Sequence, residues 1–114
     1  MERFFRPRTL QGFTHKSRTY HGNLYTNVNQ QDGKVVEVFA KLGKAGSCES
    51  AYLEALTRVT SVALQYGVPL KELAKQMRSV TCHPYLEGGE MGNTSPVDAI
   101  GHVLSEYVEK ETQT

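Results

Sequence analysis

The spacing of polar and apolar residues changes rhythm once along this chain. Gly12 to Tyr20 carries threonines and aromatics, and Asn23 to Asn29 alternates, with Leu24, Thr26 and Val28 falling on one face. Alternation at period two marks a half-buried strand, because successive strand side chains point to opposite faces. His21-Gly22 reads as a turn between these segments. Asp32-Gly33, inside Gln31–Lys34, is a hairpin signal, since tight turns demand the positive φ that Asp-Gly supplies. Val35 to Leu42 returns as a β-branched and aromatic third strand. Three antiparallel strands are the economical reading.

After Gly46 the period becomes helical. Ala51, Ala55, Leu56, Val59, Val62, Ala63 and Tyr66 predict a first helix with this stripe against the core, and Gly67 stands where a C′ glycine ends a helix. Pro69 suits the start of a second, shorter helix whose buried face is Leu70, Leu73, Ala74 and Met77. Residues 78–93 are irregular. Thr94-Ser95-Pro96 is a cap followed by an N1 proline, and it opens a third helix with Ile100, Val103, Leu104, Tyr107 and Val108 as its apolar stripe. The order predicts an α+β fold, a three-stranded antiparallel sheet followed by two or three helices packed on one face. Residues 1–114 are expected to form a single domain. Residues 1–12 are a lead-in, because Pro7 disfavours helical backbone at Arg6.

Composition narrows the function classes. Hydrophobic content of 39% and charged content of 22% fit an ordinary globular chain. No stretch approaches the roughly 18 apolar residues of a membrane span, and the first residues lack the apolar run of a secretory signal. A cytoplasmic location is expected. The two cysteines then read as thiols or metal ligands rather than a disulfide framework. A net charge of +1 argues against general nucleic-acid binding. Its distribution is uneven: residues 1–31 carry five basic side chains against Glu2, a local +4, and residues 87–114 carry six acidic ones against Lys110, a local −5.

Two groups of residues can carry chemistry. In Leu42-Gly43-Lys44-Ala45-Gly46-Ser47, between a strand and a helix, the glycines allow backbone N–H groups to converge, and the helix end and Lys44 add positive charge. That suits a phosphate or carboxylate, although the spacing is not that of a Walker A loop. The second group is His21, Cys48, Cys82 and His83, four Cys/His donors from three loops, the number a zinc site takes. Adjacent Cys82 and His83 do not form a spaced ligand pair, and buried cysteines often serve as core residues. Tyr20 and Tyr25 flank the first turn, where they can stack on a base or pack as cross-strand aromatics. His15 and His102 read as surface or edge residues. No serine, histidine and acid can be assembled into a triad, so binding is favoured over turnover.

Several segments are similar, in order, to a known module. These are Arg6-Pro7-Arg8-Thr9-Leu10-Gln11-Gly12, Gly22-Asn23-Leu24-Tyr25, Asp32-Gly33, Leu42-Gly43-Lys44-Ala45-Gly46, Gly67-Val68-Pro69 and Ser95-Pro96-Val97-Asp98. They resemble the TSCPD domain, the C-terminal module of adenosylcobalamin (B12)-dependent ribonucleotide reductases, from residue 6 to about 109. The family pattern places cysteines at positions that look like His21, Cys48, Cys82 and Pro96 here, so two of four are retained. The chain has no room for the reductase's catalytic barrel or cobalamin site. The resemblance therefore implies a non-catalytic accessory module acting on a partner enzyme. One alternative is a stand-alone, phage-type sponge for a nucleotide or nucleotide signal, in which the Gly43–Ser47 loop with Arg18, Arg58 or Arg78, and with Tyr25, meets the ligand. A small zinc protein is the other. A homo-oligomer is expected, since three strands and three helices leave apolar surface to cover.

Overall fold

The computed structural model describes residues 2–43, 46–82 and 92–112. Three strands, β1 (Gln11–Thr19), β2 (Gly22–Gln31) and β3 (Lys34–Leu42), form an antiparallel sheet in the order β1-β2-β3. Three helices come after them: α1 (Cys48–Gln65), α2 (Leu70–Met77) and α3 (Pro96–Thr112). The α+β class and the element order are as the sequence predicts. The second turn has Asp32 and Gly33 both at positive φ, as a two-residue turn between right-twisted strands requires. One irregularity falls where Gln30 pairs with Val35, leaving Val36 as an extra residue in β3.

Register sorts the side chains. Ser17, Leu24 and Leu42 share a row on one face, as do His15, Thr26 and Ala40, and Phe13, Val28 and Val38. This face forms the core with α2 and α3, in which Leu24, Val28, Val38, Ile100 and Leu104 are fully buried. The predicted stripes of α2 and α3 are the buried ones, each large side chain adding about 1.5–3 kcal/mol of burial. A polar bridge across this layer joins His15 Nε2 and Tyr107 Oη at 2.7 Å, with the rings edge to face. Burial, and Glu106 nearby, raise the Tyr107 phenol above its ordinary value, so it stays neutral. Gly101 lets α2 come close: a Cβ there would meet Arg78 N at 3.0 Å.

The expected inward face of α1 is corrected. Tyr52 is 70% and Val59 68% exposed, Ala51 and Ala55 are exposed, and Val62 and Tyr66 remain about 40% open. The buried side of α1 is Leu53, Thr57, Thr60, Ser61 and Gln65. Its task explains its polarity. It lies along the outer edge of β3, where Ser61 Oγ accepts from Val38 N–H at 2.9 Å and reaches Val38 O at 3.0 Å. Gln65 Nε2 donates to Val36 O at 3.2 Å. Edge groups buried without partners would each cost a hydrogen bond, so a polar helix face is the cheaper fit. The helix ends in a Schellman turn, Val68 N to Ala63 O and Gly67 N to Leu64 O, with Gly67 at φ +95°.

The lead-in is ordered against this corner. Phe4 N donates to Gln65 O at 2.7 Å, and Arg3 Nε to Gln65 Oε1 at 2.8 Å. Arg6 grips the carboxylate of Glu37 with two nitrogens, and Asn29 Nδ2 adds a bond at 2.7 Å. Glu37 is buried, and these bonds satisfy its carboxylate oxygens.

Thr26 is fully buried at the centre of the sheet, and its Oγ1 has no hydrogen-bond partner among the described residues. Thr26→Val keeps the shape and removes the unsatisfied hydroxyl. Urea denaturation is expected to show a gain of about 1 kcal/mol. A loss of stability would mean that the hydroxyl is bonded.

Candidate functional site: a cleft on the open sheet face

The alternation that sends Leu24, Thr26 and Val28 into the core sends Tyr25, Asn27 and Asn29 to the other face. On that face Lys16, Tyr25 and Lys41 form one cross-strand row, and Thr14, Asn27 and Phe39 the next. Tyr25 and Phe39 remain 38% and 42% exposed. The N-terminal half of α1 rises beside them and closes one wall of a cleft of about 610 Å³. Its floor is Thr14, Tyr25, Asn27, Phe39 and Lys41, and its wall is Gly46, Ser47, Ser50, Ala51, Glu54 and Thr57. The volume lies in the range of small-molecule sites.

The wall is built by the cap of α1. Gly46 has φ +83°, which turns the chain from β3 into the helix. Ser47 is the N-cap, its Oγ accepting from Ser50 N at 3.1 Å. The positive end of the helix dipole therefore opens beside Lys41. Gly43 N–H is engaged with Asn23 O at 2.9 Å, so Gly43 continues the hairpin. Lys44 and Ala45 lie outside the described residues. Of the predicted anion-binding residues, Tyr25, Gly46 and Ser47 thus meet at one cleft. Arg18 lies in a smaller groove with Asn93, His102 and Glu106. Arg58 stands one turn further along α1, bonded to Glu54 at 2.9 Å. Arg78 reaches Ser105. Lys41, Asn27 and Phe39 were not singled out in the sequence, although the period-two reading of β2 and β3 places them on the face of Tyr25.

The proposed zinc ligands separate into a pair and a remainder. His21 Nε2 and Cys82 Sγ are 3.3 Å apart, so the first hairpin turn and the segment after α2 do meet. Cys48 is exposed at the start of α1, and neither cysteine is in a disulfide. Among the described residues no three His, Cys, Asp or Glu side chains converge on a point that could hold a metal. His83 lies outside the described residues. His21 and Cys82 supply half of a tetrahedral set.

The Thr94–Asp98 segment is a helix cap that also holds its neighbours. Ser95 Oγ accepts from Asp98 N at 2.9 Å and donates to Val80 O. Asp98 reaches back past the cap, accepting from Thr94 N at 2.9 Å, one residue before the donor of a capping box. Its other oxygen accepts from Ser79 N at 2.6 Å, where Ser79 sits at φ +70°. His102 Nε2 lies 3.2 Å from Asp98 Oδ2, one turn along α3. Burial alone would raise the Asp98 carboxyl. The Ser79 and Thr94 N–H donors outweigh it, helped by His102 and Arg78, and hold the group below its ordinary value. Both oxygens of Asp98 thus hold the cap, Oδ1 through Ser79 N and Oδ2 through Thr94 N and His102. Cys82 N is tied to the same cap through Thr94 O at 3.1 Å.

The TSCPD domain family matches residues 2–108. The chain belongs to the TSCPD domain family. A vitamin B12-dependent ribonucleotide reductase of Agrobacterium fabrum is 31% identical over 108 residues, covering 92% of this chain and 8% of that protein. Another, of Rhodopirellula baltica, is 31% identical over 93 residues, covering 81% of this chain and 8% of the reductase. The TSCPD chain thus spans under a tenth of the length of these relatives. No solved structure matches it. Among the described residues no helix is long and apolar enough to cross a membrane.

The Asp98 cap sets an acid limit on this TSCPD domain. A carboxyl lowered by folding contributes stability above its unfolded value near 3.8 and loses it as the pH falls through the lower, folded value. Asp98→Asn is expected to cost about 1–3 kcal/mol at pH 7 and to flatten the loss of stability below pH 3.8. Urea titrations at neutral and acidic pH read both effects. An unchanged acid limb would show that Asp98 does not drive it.

Proposed function

We propose that this TSCPD domain is a non-catalytic binding module that takes a nucleotide-type anion in the cleft between the open sheet face and α1. One observation carries the reading: exposed Tyr25 and Phe39 rings share a face with Lys16, Lys41 and the Asn27 amide, beside the capped start of α1. Each part has a role. An aromatic face accepts any base by stacking, an amide meets a base edge or ribose, and lysines with a helix N-terminus hold phosphate. Glu54 on the opposite wall suits a ribose hydroxyl or a base amino group and excludes a second anion. The family supports the choice of ligand, since the named relatives are ribonucleotide reductases. Nucleotides of the cytoplasm are the pool such a site would meet.

A second reading rests on the same relationship. In the relatives the matched segment is a small part of a large enzyme, which favours an accessory role on a reductase-like partner. Co-elution with a purified B12-dependent reductase, with and without nucleotide, separates the two readings. Binding of nucleotide by the isolated chain belongs to the first, and reductase binding without nucleotide to the second.

Calorimetry against ribonucleoside mono-, di- and triphosphates and cyclic nucleotides tests the proposal. At least one class is expected to bind, with Tyr25→Ala costing about 1–3 kcal/mol of affinity. Lys41→Ala is expected to weaken phosphate-rich ligands most and to reduce the salt dependence. Absence of heat and of a Tm shift with every class, or binding indifferent to both substitutions, would overturn it.

A further inference from the structure

The cleft does not end at Glu54. A second groove of about 480 Å³ continues it along the junction of α1 and the sheet, between that helix and the lead-in. The first compartment takes its wall from Ser47 to Thr57, and the second from Arg58 to Gln65. Phe39 lines both. On the open face of β3, Lys41, Phe39 and Glu37 follow one another at steps of about 7 Å, so the compartments lie end to end.

The second compartment repeats the make-up of the first. Phe5 lies on its rim and is 92% exposed, too open to serve the core. Three arginines, Arg3, Arg6 and Arg58, stand against the single carboxylate of Glu37, a local +2. Arg6 and Glu37 are spent on each other, which leaves Arg3 and Arg58 as the surplus. Arg58 marks the boundary, because its partner Glu54 lines the first compartment while Arg58 lines the second. That ion pair is exposed on both sides, so Arg58 turns to an incoming anion at little cost. At the far end the lead-in closes the groove, with Arg3 and Phe4 N both bonded to Gln65.

We propose that the whole groove takes a linear dinucleotide with a 5′-phosphate, one nucleoside in each compartment. This rests on the nucleotide reading of the cleft and fixes the length of its ligand. The terminal phosphate lies by Lys41 and the start of α1, and the first base stacks on Tyr25. The linking phosphate meets Arg58 beside Phe39, and Glu54 repels it from the first compartment. The second base stacks on Phe5. Rings that accept any base, with cations between them along the strand, are the means by which single-stranded nucleotides are held. A mononucleotide fills one compartment and leaves Phe5 and both surplus arginines unused. A third nucleotide in line meets the lead-in at Gln65.

Calorimetry on the intact chain tests the length. For each base, the 5′-monophosphate is compared with the 5′-phosphorylated dinucleotide and tetranucleotide at one salt concentration. For at least one base the dinucleotide is expected to bind roughly tenfold or more tighter than the monophosphate. Phe5→Ala, with Tm unchanged, and Arg58→Gln should each bring the dinucleotide down toward the affinity of the monophosphate. Tyr25→Ala should weaken both ligands. Equal affinity for the two lengths overturns the second compartment and leaves the cleft reading standing. A dinucleotide advantage that survives both Phe5→Ala and Arg58→Gln also overturns it, as does a further gain of the same size with the tetranucleotide. Absence of binding by every ligand overturns the cleft reading together with this one.

Discussion

The hydroxyl of Ser61 sits against the outer edge of β3 and meets the N–H and C=O of Val38 at 2.9 and 3.0 Å. A three-stranded sheet has two edges, and a buried edge must find partners for every outward backbone group. Here the partners come from side chains on a helix rather than from a fourth strand. One hydroxyl serves both groups of Val38, with Thr57 O as a second acceptor at 2.9 Å, and Gln65 serves Val36 where the extra residue interrupts the ladder. Because this duty needs oxygen and nitrogen, α1 turns Ser61 and Gln65 inward, beside Thr57 and Thr60, whose hydroxyls donate to carbonyls of their own helix. Its alanines, valines and tyrosines are left to face outward.

That inversion shapes both surfaces of the molecule. With α1 along an edge, the second sheet face stays partly open, and the helix becomes the wall of a cleft rather than its lid. The lead-in covers the remainder of that face by gripping Glu37 and Gln65. The covered face, by contrast, is an ordinary apolar layer under α2 and α3, secured at the start of α3 by Asp98. Reductase relatives contain the matched segment as 8% of their length.

Much of this was readable from the residues, and the gaps have physical reasons. The hairpin at Asp32-Gly33, the glycine stop at Gly67 and the Ser95-Pro96 start are local chemistry, so they were visible without tertiary information. The stripes of α2 and α3 were read correctly because their opposite faces are plainly polar. For α1 the predicted stripe divides: Leu56 packs against the core, as expected, whereas Ala51, Ala55, Val59, Val62 and Tyr66 face outward. Periodicity reports which residues share a face, while the direction of that face depends on what lies opposite, here a strand edge that wants hydrogen bonds. Tyr25 stood out because it flanks a turn. Phe39 and Lys41 did not, since their proximity to it depends on register between β2 and β3. His21 and Cys82 shared a donor chemistry in the sequence, and only the fold shows that they meet while Cys48 stays apart.

The claim on which these relations depend is that α1 closes the β3 edge through Ser61. Native-state hydrogen exchange at the Val38 amide measures it directly. The amide should be protected as strongly as the interior ladder amides of β2, and Ser61→Ala should release Val38 selectively by local opening. A Val38 amide that exchanges at the rate of an open strand edge in the unaltered chain would contradict the account.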